Sequence, residues 1–192
     1  MTLWPKIILL LGIEIAALAA MVADKQWTLA TGTPVVLETV PVDPRSLFMG
    51  DYARLNYTIS QLPMEGETAL AGDKDFKRHD TIWVALKPDP AGAKAVSVHH
   101  QRDAIAPGLI ALKGEVEDFD GGRWGRAGNQ PRTLSVRYGI EQYFVQEGSG
   151  GQIERPTGGE KVSIRVAIDS RGKAGILAVL LDAREAYRET LF

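Results

Sequence analysis

The feature that most constrains this chain is an apolar run close to its start. From Ile7 to Ala23 only Glu14 is charged, and with Leu3 and Trp4 the run reaches the ~20 residues that a helix needs to cross ~30 Å of hydrocarbon. The run therefore predicts a membrane-spanning helix. Lys6 and the terminal amine precede it, which by the positive-inside tendency leaves the N-terminus in the cytoplasm and exports the rest of the chain. A cleavable signal peptide is the rival reading, because Ala17-Leu18-Ala19 has the small-x-small spacing of a cleavage site. Retention is favoured, since Glu14 interrupts a signal peptide's apolar region and the run continues through Ala20, Met21 and Val22. The polar Asp24-Lys25-Gln26 and the amphipathic Trp27 suit an exit into the interface. The expected division is an anchor over 1–25 and an exported domain over 30–192. That layout makes a single-pass protein of the inner (cytoplasmic) membrane with its bulk in the periplasm or cell exterior.

Glu14 needs its own account, because a carboxylate near mid-membrane costs about 2.5–3.5 kcal/mol. One reading is a protonated side chain tolerated by an otherwise apolar helix. The other is a hydrogen bond to a second spanning helix, and the small residues Gly12, Ala16, Ala19 and Ala20 would let another backbone come close.

Beyond residue 30 the hydrophobic period changes to two, the spacing of half-buried strands. Ala53, Leu55, Tyr57 and Ile59 alternate with Arg54, Asn56 and Thr58, and Val162, Ile164, Val166 and Ile168 alternate with Ser163, Arg165 and Ala167. Further strands are expected over 35–40, 81–87, 95–100, 109–118, 133–138 and 174–181. The fold class is mainly β, an antiparallel barrel or sandwich-like domain. Glycine-rich stretches over 121–128 and 148–159 are expected as long loops. Helix formers over 182–192, with Tyr187 and Leu191 four apart, predict a short C-terminal helix.

Composition excludes several functions. The 22 basic and 24 acidic residues leave no basic surplus for a phosphate backbone, so nucleic acid is not an expected partner. The chain has no cysteine, which removes disulfides and thiolate chemistry. Of its three histidines, His99 and His100 are adjacent and would point to opposite faces of a strand, so no metal site is expected. The Gly148-Ser149-Gly150-Gly151 loop lacks the Lys-Ser/Thr ending of a phosphate loop. No cofactor is expected.

The segment from Pro41 to Tyr52 predicts a strand, one tight helical turn and a second strand. Asp43 is a good N-cap, Pro44 suits the first helical position, and Gly50 can adopt the left-handed conformation that closes the turn. In the second strand Leu55 and Tyr57 share a face with Ala53 and Ile59, while Tyr52, Arg54 and Asn56 point the other way. Gly50, Asp51, Tyr52, Leu55 and Tyr57 match the motif Gly-Asp-Tyr-x-x-Leu-x-Tyr. On these residues, on Pro41 to Leu47 before them, and on a second block from Tyr138 to Gly148, the chain resembles the bacterial membrane-anchored proteins named for that motif. In the second block Gln146 stands where family members often have proline. The resemblance implies an N-terminal anchor, an exported domain of unknown activity, and a multi-span membrane protein as neighbour and partner. It brings no catalytic residues.

Candidate partner- or ligand-binding residues are Asp43, Arg45, Asp51, Tyr52, Arg54, Asn56 and Glu141, with Gly50, Leu55 and Tyr57 structural. Asp51 is expected to accept backbone N–H bonds and pin its turn. Arg45 and Arg54 can pair with Asp43, Asp51 or Glu141. Two enzymatic readings compete with a binding role. A Gly-Asp strand entry also occurs in membrane-anchored type I signal peptidases, but the position of their serine nucleophile corresponds to Val42 here. Asp51 and Glu141 as paired carboxylates would instead make an envelope-acting hydrolase. Such a pair needs an open cleft, whereas structural acids are held by arginine or backbone. The expectation is a non-enzymatic domain.

Overall fold

Helix α1 runs from Trp4 to Thr31, 28 residues, in a computed structural model that describes residues 4–40, 52–119, 132–144 and 161–188. Pro5 lies in its first turn, where a missing N–H costs no helical bond. The helix is long and apolar enough to cross a membrane. It continues well past the apolar run, through Asp24-Lys25-Gln26-Trp27, and its last turns pack on the strands, with Thr28 and Leu29 buried.

The strands after the helix are β1 (Thr33–Val40), β2 (Tyr52–Arg54), β3 (Asn56–Tyr57), β4 (Gln61–Pro63), β5 (Ala71–Gly72), β6 (Thr81–Lys87), β7 (Lys94–His99), β8 (Ile110–Phe119), β9 (Thr133–Arg137), β10 (Gln142–Phe144), β11 (Val162–Ile168), β12 (Ala174–Leu181) and β13 (Arg184–Arg188). One sheet has the order β13-β12-β11-β1-β3, another β4-β9-β8-β6-β7-β5, and β10 pairs with β2 as a separate ribbon. All pairs are antiparallel except β5 with β7. The inward residues of both sheets form one core, with Leu37, Ile164 and Val166 from the first and Val84, Leu112 and Leu134 from the second all fully buried. Alternation marks the inward face over much of the domain, as in β8 and β9, while Val84–Leu86 in β6 and Val166–Ile168 in β11 are buried in succession, on both faces.

Two expectations change in the structure. The run from Ala53 to Ile59 is not one strand: a single 3-10 turn over Thr58–Ser60 follows β3, with the Tyr57 N–H donating to Ser60 Oγ at 3.3 Å. The turn transfers the chain between sheets, since β3 pairs with β1 and β4 pairs with β9. The expected C-terminal helix is a strand over Arg184–Arg188, paired with β12. Asp182 and Ala183 both have positive φ, 47° and 64°, the geometry of a two-residue hairpin turn whose twist matches its flanking strands. Pairing with β12, reinforced by Arg165 of β11, which reaches across β12 to donate to Glu185 at 2.9 Å, overrides the helix propensity of the segment. The glycine-rich stretch over 148–159 and residues 121–128 lie outside the described residues.

Candidate functional site

The first and second motif blocks meet in space. In the ribbon, Arg54 faces Gln142, Ala53 faces Tyr143 and Tyr52 faces Phe144. The Leu55 N–H donates to the Glu141 carbonyl at 2.9 Å. Leu55, Tyr57 and Ile59 are buried and Arg54 is exposed, the faces expected from alternation.

Two tyrosines fasten the blocks reciprocally. The Tyr57 hydroxyl donates to the Ile140 carbonyl at 2.6 Å, and the Tyr138 hydroxyl donates to the Ile59 carbonyl at 2.6 Å. Each ring therefore reaches the carbonyl two residues beyond the other. Glu141 holds the turn between them: Oε1 accepts the Tyr138 N–H at 2.6 Å and Oε2 accepts the Gly139 N–H at 2.9 Å. Burial pushes both phenols well above the ordinary tyrosine range, and the nearby Glu141 charge adds to the shift. Both Glu141 oxygens are thus held by backbone, as in a structural acid. Asn56 is half-buried, facing Val40 across the sheet. Asp43, Arg45, Gly50 and Asp51 lie outside the described residues, as does the Tyr52 side chain.

A family model described as GDYXXLXY protein matches residues 14–179. The chain belongs to the GDYXXLXY family. No curated protein and no solved structure matches it. The family match takes in Glu14 and ends at Val179 in β12, so it spans a second cluster as well as the motif.

That second cluster joins α1 to the β-domain. The β11–β12 turn, Asp169-Ser170-Arg171-Gly172-Lys173, places a buried carboxylate against the helix end. Asp169 Oδ2 accepts from the Thr28 hydroxyl at 2.9 Å and from Arg171 Nη2 at 2.8 Å, while Oδ1 accepts the Arg171 and Lys173 N–H groups at 2.9 and 3.0 Å. Burial alone would raise this carboxyl, but the Arg171 side chain, the Thr28 hydroxyl and the two amides outweigh it and hold it below the ordinary aspartate range. Arg171 also pairs with Asp24 at 2.7 Å, and Lys173 pairs with the same carboxylate. A Cβ on Gly175 would stand 2.7 Å from Leu29 Cδ2, so a larger residue there must push the Leu29 side chain aside.

The same turn reaches the other sheet. Gly172 has φ +75°, and a Cβ there would lie 3.0 Å from the Ala111 carbonyl; the Lys113 N–H donates to the Gly172 carbonyl at 2.9 Å. One five-residue turn therefore ties the helix, β11–β12 and β8 together. Thr28, Asp169, Arg171 and Lys173 were absent from the sequence-derived candidates. The only signal was local: Asp followed by Gly between two apolar runs marks a pinned turn, but nothing in spacing links it to Thr28, 141 residues away.

Glu14 stands on the part of α1 that nothing covers, since every residue from Trp4 to Ala23 is exposed. Among the described residues, no group of three or more His, Asp and Glu is arranged to hold a metal ion.

Proposed function

We propose that this member of the GDYXXLXY family is a non-enzymatic, single-pass membrane-anchored β-domain on the periplasmic or outer side of the cytoplasmic membrane, which binds or supports a multi-span membrane protein through its helix and the exposed side of the motif region. The observation that carries this reading is Glu14 on an uncovered apolar shaft. A lone anchor gains nothing from a carboxylate at that depth, and a hydrogen bond to a polar group on a neighbouring helix offsets its cost. Gly12 has open space around it, as close approach of another helix requires.

The test is recovery of co-purifying membrane proteins from native membranes in gentle detergent. Glu14→Leu is expected to insert at least as well as the parent chain and to lose a multi-span partner. Moving the β-domain onto an unrelated spanning helix should lose it similarly. If both variants keep the partner at parental levels, the helix is only a tether. Mass spectrometry of the mature chain checks the anchor itself, which an N-terminus near Ala20 would refute.

A further inference from the structure

We infer that the docked end of α1 seats the β-domain directly on the bilayer, with the Asp169–Lys173 turn inside the phospholipid headgroup layer. The inference rests on the membrane-anchor reading and adds to it a membrane-contacting surface on the β-domain. Its first support is distance. Thr28, which holds Asp169, lies five residues beyond Ala23, the last residue of the apolar run, and five helical residues rise about 7.5 Å. The headgroup region on one side of a bilayer is about 5–7 Å deep. The turn therefore cannot stand far from lipid while the helix stays continuous and docked.

The second support is direction. The Arg171 and Lys173 side chains extend back along the helix by one turn to reach Asp24, the residue next to the apolar run. Both are about half exposed, at 54% and 51%, which places two cationic groups at the depth of lipid phosphates. The third support is an aromatic bracket. Trp4 and Trp27 are 76% and 61% exposed, and they sit at opposite ends of the apolar run, about 35 Å apart along the helix. Tryptophan collects at the two interfaces of a bilayer. Trp27 thus marks the interface within one helical turn of both Asp24 and Thr28. Asp169 and Asp24 fix the cations in place, so the turn reaches the headgroups as part of a rigid unit rather than as a loose basic tail.

The absence of cysteine makes the test direct. Full-length chains carrying either Leu10→Cys or Ser170→Cys, both exposed positions, are labelled with an environment-sensitive fluorophore. They are then reconstituted into phosphatidylcholine–phosphatidylglycerol vesicles. Quenching is compared between lipids bearing a nitroxide on the headgroup and lipids bearing one deep in the acyl chain. The label at Leu10 should be quenched by the deep nitroxide, and the label at Ser170 several-fold more by the headgroup nitroxide than by the deep one. A flexible Gly-Ser spacer inserted between Ala23 and Asp24 should abolish most of the Ser170 quenching and leave the Leu10 signal unchanged. Quenching at Leu10 without quenching at Ser170 overturns the inference and leaves the anchor intact. Loss of both signals overturns the anchor and the inference with it. Unchanged Ser170 quenching in the spacer variant overturns seating by the docked helix.

Discussion

Two turns in this molecule are pinned by the same device and serve different ends. At the motif, Glu141 accepts the N–H groups of Tyr138 and Gly139; at the helix junction, Asp169 accepts those of Arg171 and Lys173. The motif turn is closed by neutral groups, two buried phenols that donate to backbone carbonyls. The junction turn is closed by charge, with Arg171 on Asp169 and on Asp24. Strand β1 connects the two regions, leaving the helix at Thr33 and meeting β3 at Thr39, about 20 Å along the strand. A neutral clasp suits a contact inside one domain, where desolvation makes unpaired charge costly. A charged clasp suits the seam between the domain and a helix that leaves it, where Arg171, Lys173 and Asp24 remain partly exposed and the buried Asp169 has donors on both oxygens.

The comparison breaks first where apolar burial is deepest. Tyr57 is fully buried, so Tyr57→Ala should cost about 3–5 kcal/mol through the cavity it leaves. Thermal melts of the full chain in detergent measure this, and a loss below about 1 kcal/mol would mean the clasp contributes only its hydrogen bond. At the junction, Asp169→Ala takes the acceptor from two backbone N–H groups and leaves the Thr28 hydroxyl only its longer bond to the Asp24 carbonyl, 3.3 Å. At about 1–3 kcal/mol per buried group left unpaired, discounted for the exposed rim, roughly 3 kcal/mol is expected. This variant should also speed proteolysis around Thr31, because the helix loses its hold on the domain. Equal cleavage rates in parent and variant would show that Leu29 and Gly175 hold the helix unaided.

Legibility in the sequence divides along the same line. The strands over 81–87, 162–168 and 174–181 have the expected bounds, because a short apolar run between turn residues is a local property; that Val84–Leu86, Val166–Ile168 and Ala178–Leu180 are each buried in succession, on both faces, is not. The meeting of the motif blocks was anticipated only through Glu141, and the tyrosine clasp needs the register of β2 on β10, which no single segment encodes. The junction was hidden for a different reason. Asp24 to Trp27 has the composition of a polar exit from an apolar helix; that this stretch also docks depends on Asp169 lying opposite Thr28 and on Gly175 lying against Leu29, both distant in sequence. The C-terminal segment was misread because helix propensity is weak against a paired strand edge.

Acid should loosen the junction. Asp169 is held below its ordinary value of 3.8, with burial opposing and the Arg171, Thr28 and backbone donors prevailing. A carboxyl depressed in the folded state contributes stability that is complete above its unfolded value and is lost as pH falls through the folded one. Asp24 shares Arg171 and Lys173 with it and titrates in the same environment. Asp169→Asn should therefore be less stable than the parent at neutral pH and show a shallower acid limb. Acid unfolding followed by tryptophan fluorescence, with Trp27 beside the junction, gives both quantities. Parallel acid limbs would place the depressed carboxyl elsewhere.

Alkali should act at the other end, and with the smallest effect. Tyr57 and Tyr138 ionise well above the ordinary tyrosine value of 10.0 because they are buried and because Glu141 is negative beside them. A group raised on folding contributes stability that is complete below its unfolded value and is lost as pH rises through the folded one. Tyr57→Phe and Tyr138→Phe each remove one hydroxyl and leave one carbonyl, of Ile140 or Ile59, short of a donor. Each should cost about 0.5–1.5 kcal/mol at neutral pH. Because each ring anchors the segment that carries the other, the double variant should cost less than the sum of the two, and its alkaline limb should be flatter than that of either single variant. Strict additivity would show two independent hydrogen bonds in place of a clasp. An alkaline limb unchanged in the double variant would remove the tyrosines from the pH response.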